Sequence, residues 1–64
     1  MNILFLYNKD LQVITGKSDK ACYNLIEKIR RKVGKERGIP ITMDEFCAYT
    51  RLRVETVTMA LKRH

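Results

Sequence analysis

Hydrophobic residues recur at three- and four-residue steps between positions 18 and 33, and polar or charged residues fill the gaps. This spacing gathers the apolar side chains on one side, so it predicts an amphipathic α-helix. Ser18 suits the N-cap of that helix, and Gly34 suits its end because glycine adopts positive φ without steric cost. The predicted core face of the helix consists of Cys22, Leu25, Ile26, Ile29 and Val33.

A shorter amphipathic helix precedes the long one. Leu11 and Ile14 lie three residues apart and share its apolar face. Asn8 suits the N-cap of this helix, and Gly16 suits its end. Because only a few residues then separate the two helices, we predict a helix-turn-helix over residues 8–33.

The second half of the chain contains another pair of helix signals. A basic, glycine-containing connector over residues 34–41 ends where Thr42 and Glu45 fit a capping box, which starts a short helix over about residues 43–49. The apolar spacing of Val54, Val57, Ala60 and Leu61 predicts a fourth helix that reaches the C-terminus.

The two halves resemble each other at an offset of 35 residues. This shift places Leu11 over Phe46, Ile14 over Tyr49, Thr15 over Thr50 and Cys22 over Val57. The match suggests a duplication without proving it, and two units are too few for a solenoid.

These elements define one small domain of the mainly α class over residues 1–64, with four helices. It contains the helix-turn-helix, the connector, a second helical pair over residues 42–64, and a short extended N-terminal segment over residues 1–7. That apolar segment is an arm packed on the core or a strand. It is equally consistent with a dimer contact, because a lone strand has no sheet partner within the chain.

Size and charge restrict the function. A domain of about 60 residues buries only roughly 60% of the surface of its unfolded chain, which leaves little room for a catalytic cleft. The chain carries a net charge of +6, and residues 17–38 alone hold eight basic and three acidic side chains. Such a concentration of charge indicates an anionic partner, such as nucleic acid.

The chain also lacks the residue patterns of most cofactor sites and enzymes. Cys22 and Cys47 lie 25 residues apart and His64 is the single histidine, so we expect buried free thiols and no metal. There is no glycine-rich phosphate loop and no set of catalytic side chains, so we expect no cofactor, no small-molecule substrate and no enzymatic activity. The apolar start is too short for a signal peptide or a membrane span, which favours a cytoplasmic protein without a membrane partner.

One motif carries the functional prediction. The motif has two apolar residues separated by two positions, then Thr-Gly-x-Ser, and then an amphipathic helix. Its residues here are Leu11, Ile14, Thr15, Gly16, Ser18, Cys22, Tyr23, Leu25 and Ile26. Over about residues 9–32 the sequence resembles small bacterial and phage helix-turn-helix DNA-binding proteins of the excisionase and transcriptional-regulator type. It departs from that pattern at Ala21, where threonine is frequent, and at Asn24, where a phosphate-binding arginine is frequent.

The resemblance implies that the second helix of the motif enters the major groove of duplex DNA. Lys20 has the chemistry to contact guanine, and Asn24 has the chemistry to pair with adenine. We expect Asp19 to cap the helix rather than contact cytosine. Long cations further along the helix suit phosphates. The predicted DNA-binding residues are Lys17, Ser18, Lys20, Tyr23, Asn24, Lys28, Arg31, Lys32 and Lys35, and we also expect Arg30 and Arg37 near phosphates.

Two functions are consistent with these features. The favoured one is sequence-specific duplex DNA binding, as a small transcriptional regulator or an excisionase-like recombination factor, with a homodimer or a larger protein partner supplying further contacts. The other is a non-catalytic adaptor that binds an acidic protein partner through its basic face. Tyr23 and Tyr49 are expected at the edge of the core rather than as platforms for base stacking.

Overall fold

Four helices and two short strands follow one another in the computed structural model, which describes residues 5–63. The elements are β1 (Phe5–Leu6), α1 (Asn8–Thr15), α2 (Asp19–Val33), β2 (Ile41–Thr42), α3 (Met43–Thr50) and α4 (Val54–Arg63). The predicted mainly α class, with a helix-turn-helix followed by a second helical pair, is confirmed. None of the helices in this part of the chain has the length and apolar character needed to cross a bilayer.

Most helix ends lie where the sequence predicts them. Ser18 caps α2, because its Oγ accepts a hydrogen bond from the backbone N–H of Ala21 at 3.2 Å. Gly16 and Gly34 end α1 and α2 with φ of 71° and 79°. The capping box of α3 is also present, and is described with the site below.

The start of α1 differs from the prediction, because the N-cap is Tyr7 and not Asn8. The backbone N–H of Tyr7 donates to Asp10 Oδ2 at 2.9 Å, so a carboxylate one turn into the helix satisfies it. Asn8 is the first residue of α1, and its Nδ2 donates to the backbone oxygen of Asp19 at 3.1 Å. A side chain that suits a cap in the sequence therefore links α1 to the start of α2.

The N-terminal strand has a partner within the chain, which corrects the expectation that none was available. β1 pairs antiparallel with β2, with Leu6 opposite Ile41 and Phe5 opposite Thr42. The partner lies in the segment predicted as connector, at its junction with α3. The rest of the predicted arm, residues 1–4, lies outside the described residues.

A single core joins the two halves of the chain. Both cysteines lie in it as free thiols, as predicted. Val33, which was predicted on the core face, is instead 42% exposed because α2 ends there, beyond the reach of the core. Five of the buried residues come from each half: Leu6, Leu11, Cys22, Ile26 and Ile29, and Ile41, Met43, Phe46, Cys47 and Val57.

The structure repeats at the 35-residue offset seen in the sequence. We call residues 5–33 unit 1 and residues 40–63 unit 2. The helices of unit 2 begin 35 residues after those of unit 1, and Arg51 in unit 2 adopts the left-handed conformation that Gly16 adopts in unit 1. Equivalent side-chain hydrogen bonds occur at the same offset. Thr15 Oγ1 donates to the backbone oxygen of Leu11 at 2.7 Å, and Thr50 Oγ1 donates to the backbone oxygen of Phe46 at 2.8 Å.

An approximate two-fold axis relates the two units. Leu6 and Ile41 are equivalent at this offset and stand opposite each other in the antiparallel pair. The local dyad of an antiparallel ladder passes between opposed residues. The helices pack crosswise about that axis, α1 against α4 and α2 against α3, as the symmetry requires.

Candidate nucleic-acid interface

The outer face of α2 carries most of the residues predicted to contact DNA. Cys22, Ile26 and Ile29 turn one side of the helix into the core. Successive residues are separated by about 100° around a helix, so the opposite side is exposed. We call the exposed residues along and just before that side the basic stripe: Lys17, Lys20, Asn24, Lys28 and Arg31.

The basic stripe is long enough to follow a groove. From position 17 to position 31 it extends roughly 20 Å along α2, at about 1.5 Å per residue. Within residues 5–63, none of its cations forms an ion pair. Glu27 lies beside the stripe but is partly buried and paired with Arg30, which offsets its charge.

The turn before α2 is fixed by its own side chains. Thr15 Oγ1, held by the α1 backbone, accepts from the backbone N–H of Lys17 at 3.1 Å. Ser18 then caps α2 and is itself exposed. The Thr-Gly-x-Ser motif therefore sets the direction in which α2 leaves α1.

A second set of contacts, which the sequence did not predict, ties the start of α2 to α1. Gln12 Nε2 lies 2.6 Å from Asn8 Oδ1 and 3.4 Å from Asp19 Oδ1. Asp19 is in the first turn of α2, where its carboxylate faces the positive end of the helix dipole. The N-cap of α2 is Ser18, so Asp19 stabilises the start of the helix through the dipole and through Gln12 and not as the capping residue.

Two cations of the basic segment are used inside the protein. Arg30 pairs with Glu27, and its Nε donates to the backbone oxygen of Ile39 at 3.1 Å. Lys35 Nζ lies 2.7 Å from Glu45 Oε1 and donates to the backbone oxygen of Pro40 at 3.0 Å. Both side chains hold the connector against the helices, so they lie away from the basic stripe.

Glu45 joins the capping box of α3 to this connector. Its Oε1 accepts from the backbone N–H of Thr42 at 2.8 Å, and Thr42 Oγ1 accepts from the backbone N–H of Glu45 at 3.0 Å. The hydrogen bond from Lys35 and that from the Thr42 backbone lower the pKa of the Glu45 carboxyl below its usual range. The carboxylate therefore stays charged at neutral pH.

The remaining predicted residues flank the stripe on its two sides. Lys32 is exposed but borders a groove between α2 and α3, together with Val33 and Tyr49. Tyr23 is 53% exposed and lies on the opposite side, in a shallow concavity that Arg37 of the connector also lines. The structure thus brings Arg37 to the stripe and leaves Lys32 at its edge.

No three His, Cys, Asp or Glu side chains among residues 5–63 gather into a group that could hold a metal ion. Burial, with smaller contributions from Asp44 and Glu55, raises the pKa of the Cys47 thiol. Because the thiolate is the nucleophilic form, Cys47 is a structural thiol at neutral pH.

The fold and the site define a small helical domain of two related helix-turn-helix units, one of which carries an exposed basic stripe. No protein-family model matches the sequence, and neither a curated protein nor a solved structure shows significant similarity to it.

Proposed function

We propose that the protein binds duplex DNA sequence-specifically through α2 of its helix-turn-helix. The observation that carries this proposal is the basic stripe, which runs along the exposed side of a helix whose N-terminus is fixed by a capped turn. In helix-turn-helix proteins the second helix lies in the major groove and its N-terminal residues contact base edges. The role that fits such a domain is that of a small transcriptional regulator or an excisionase-like recombination factor.

Position along α2 divides the stripe into two kinds of contact. Lys20 and Asn24 lie in the first two turns, where side chains reach base edges, and their chemistry suits guanine and adenine. Lys28 and Arg31 lie further along, where the helix leaves the groove floor and long cations meet phosphates. Lys17, in the turn, is placed to contact the phosphate backbone at the groove entrance.

The test is a titration of the protein with duplex DNA at several salt concentrations, after selection of preferred sites from randomised duplexes. With three or four phosphate contacts, the logarithm of the association constant should fall with the logarithm of salt concentration with a slope of about −3. Absence of binding at low salt would contradict DNA binding and favour the adaptor that binds an acidic protein.

Two single variants separate base contacts from phosphate contacts. Lys20→Ala should weaken binding to the preferred site by about 1–3 kcal/mol and relax sequence preference at one position. Arg31→Ala should weaken binding to all sequences alike and reduce the salt slope by about 1. Lys9→Ala is the matched control, because it removes one exposed cation from α1 outside the stripe. Equal effects of all three variants would contradict the assignment of α2 as the recognition helix.

A further inference from the structure

The outer face of α4 occupies the same place in unit 2 as the basic stripe occupies in unit 1. At the 35-residue offset, Lys17 corresponds to Leu52, Lys20 to Glu55, Asn24 to Met59 and Glu27 to Lys62, whereas Lys28 corresponds to Arg63 and remains a cation. The cation Lys20 is thus replaced by the carboxylate Glu55. The polar side chains of Lys17 and Asn24 are replaced by the apolar side chains of Leu52 and Met59. A carboxylate near phosphates is unfavourable, so this face is unsuited to a second DNA contact.

The α4 face is apolar at its centre and charged at its ends. Met59 is 54% exposed, and Leu52 and Val54 near the start of the helix are 40% and 42% exposed. Glu55 and Lys62 are exposed on the same side as Met59, since positions four and three residues apart share one side of a helix. Within residues 5–63, neither Glu55 nor Lys62 forms an ion pair.

We propose that this face, defined by Glu55, Met59 and Lys62, binds the same face of a second copy of the chain in an antiparallel homodimer. The argument is charge complementarity. Glu55 and Lys62 lie seven residues apart, about 10 Å along the axis, on either side of a midpoint next to Met59. When two such helices pack antiparallel about a two-fold axis through that midpoint, each Glu55 lies opposite Lys62 of the other copy. Each Met59 then packs near the axis, where it is removed from water.

A parallel arrangement lacks this match, because it places like charges opposite each other. The contact involves one helix of ten residues from each copy. It is smaller than a standard protein interface, so we expect a weak, concentration-dependent dimer.

Sedimentation equilibrium of the full chain, from about 10 µM to about 1 mM, tests the dimer over the range in which weak interfaces associate. The wild-type protein should shift from monomer to dimer as concentration rises. Met59→Glu should be monomeric throughout, because it places a charge at the centre of the contact. Val33→Glu is the matched control, since it changes an apolar residue on α2 that is 42% exposed, against 54% for Met59, and should leave the association unchanged.

A charge exchange tests the antiparallel register. Glu55→Lys and Lys62→Glu should each weaken association about tenfold or more, because each creates two like-charge contacts per dimer. The double variant Glu55→Lys/Lys62→Glu restores opposite charges and should recover dimerisation.

Circular dichroism confirms that each variant is folded, and all four positions are exposed. Monomer at every wild-type concentration, loss of the dimer in Val33→Glu, or failure of the double variant to recover would each overturn the proposal. None of these outcomes depends on DNA binding.

Discussion

Units 1 and 2 have the same backbone plan and different surfaces. Their helices begin at equivalent positions, a threonine closes the last turn of α1 and of α3 in the same way, and the buried positions of Leu11 and Phe46 coincide. The exposed sides of α2 and α4 carry different side chains, because Lys20 and Asn24 of α2 correspond to Glu55 and Met59 of α4. The comparison shows that the two units share buried contacts and turn hydrogen bonds, whereas the outer positions of the second helix are free to vary.

The units also differ in how their first helices begin and end. The N-cap of α1 is Tyr7, whose side chain makes no capping hydrogen bond, and its C-cap is Gly16. α3 begins with a reciprocal capping box and ends at Arg51, the only residue other than glycine with positive φ among residues 5–63. Each unit therefore has one favourable and one unfavourable helix end, and these ends can be exchanged by mutation.

The largest effect is expected from truncation of the shared core. Phe46→Ala should lower the free energy of unfolding by about 3–5 kcal/mol and Leu11→Ala by about 2–5 kcal/mol, because each leaves a cavity at a fully buried position. Urea titrations followed by circular dichroism and by tyrosine fluorescence should give one coincident transition for both variants.

The control for this prediction is Tyr49→Ala, at a 40% exposed position, which should change the unfolding free energy by about 1 kcal/mol or less. Two separate transitions in either core variant would show that the units fold independently, and would contradict a single core.

An intermediate effect is expected at the left-handed helix ends. Gly16→Ala should destabilise the protein by about 1 kcal/mol, and Arg51→Gly should stabilise it by a similar amount, since glycine alone adopts positive φ without cost. A Cβ added at Gly16 meets no atom within 4 Å, so the cost is conformational and not steric. Urea denaturation measures both changes. If Gly16→Ala and Arg51→Gly changed the free energy of unfolding in the same direction, the two turns would not be equivalent.

The smallest of these effects concerns the capping box of α3. In α1 the equivalent carboxylate, that of Asp10, also accepts from the N-cap backbone, but the Tyr7 side chain makes no capping hydrogen bond. Because the folded state lowers the pKa of Glu45, this group stabilises the fold above the ordinary glutamate pKa of about 4.3, and the contribution disappears as pH falls through the lower folded value. The stability difference between wild type and Glu45→Gln should therefore be full at neutral pH and shrink in acid.

The dependence on Lys35 distinguishes this mechanism from a general effect of acid. In a Lys35→Met background the pH-dependent part of the difference should be smaller, because the hydrogen bond from Lys35 is the largest cause of the shift. The four proteins to compare are wild type, Glu45→Gln, Lys35→Met and the double variant. Urea denaturation of each between acid and neutral pH measures how the stability difference due to Glu45 depends on pH. A difference between wild type and Glu45→Gln that stays constant with pH would contradict the role of the charged carboxylate.

Local signals in the sequence were sufficient to predict the four helices and most of their ends. Ser18, Gly34 and the Thr42–Glu45 capping box act on residues a few positions away, and so they can be identified without knowledge of the fold. The strand pair was missed because two residues of strand carry no periodicity, and because the partner of Leu6 lies far along the chain.

The site was predictable where it depends on helical spacing alone. Lys20, Asn24 and Arg31 lie on the exposed side of α2 because the core residues fix its rotation. The contacts that Arg30 makes with Ile39, and Lys35 with Pro40 and Glu45, were not predictable from spacing, since these partners come from the connector and α3. A run of cations does not reveal which members are used within the protein.

The pairing of Leu6 with Ile41 bears on how the protein forms during its synthesis. Ile41 is added 35 residues after Leu6, and α4, against which α1 packs, comes last. At ribosomal rates of about 5–20 residues per second, Leu6 is made about 2–7 seconds before its strand partner. A nascent chain that stops before α4 has only part of the core, so interrupted products should be substrates for chaperones and proteases.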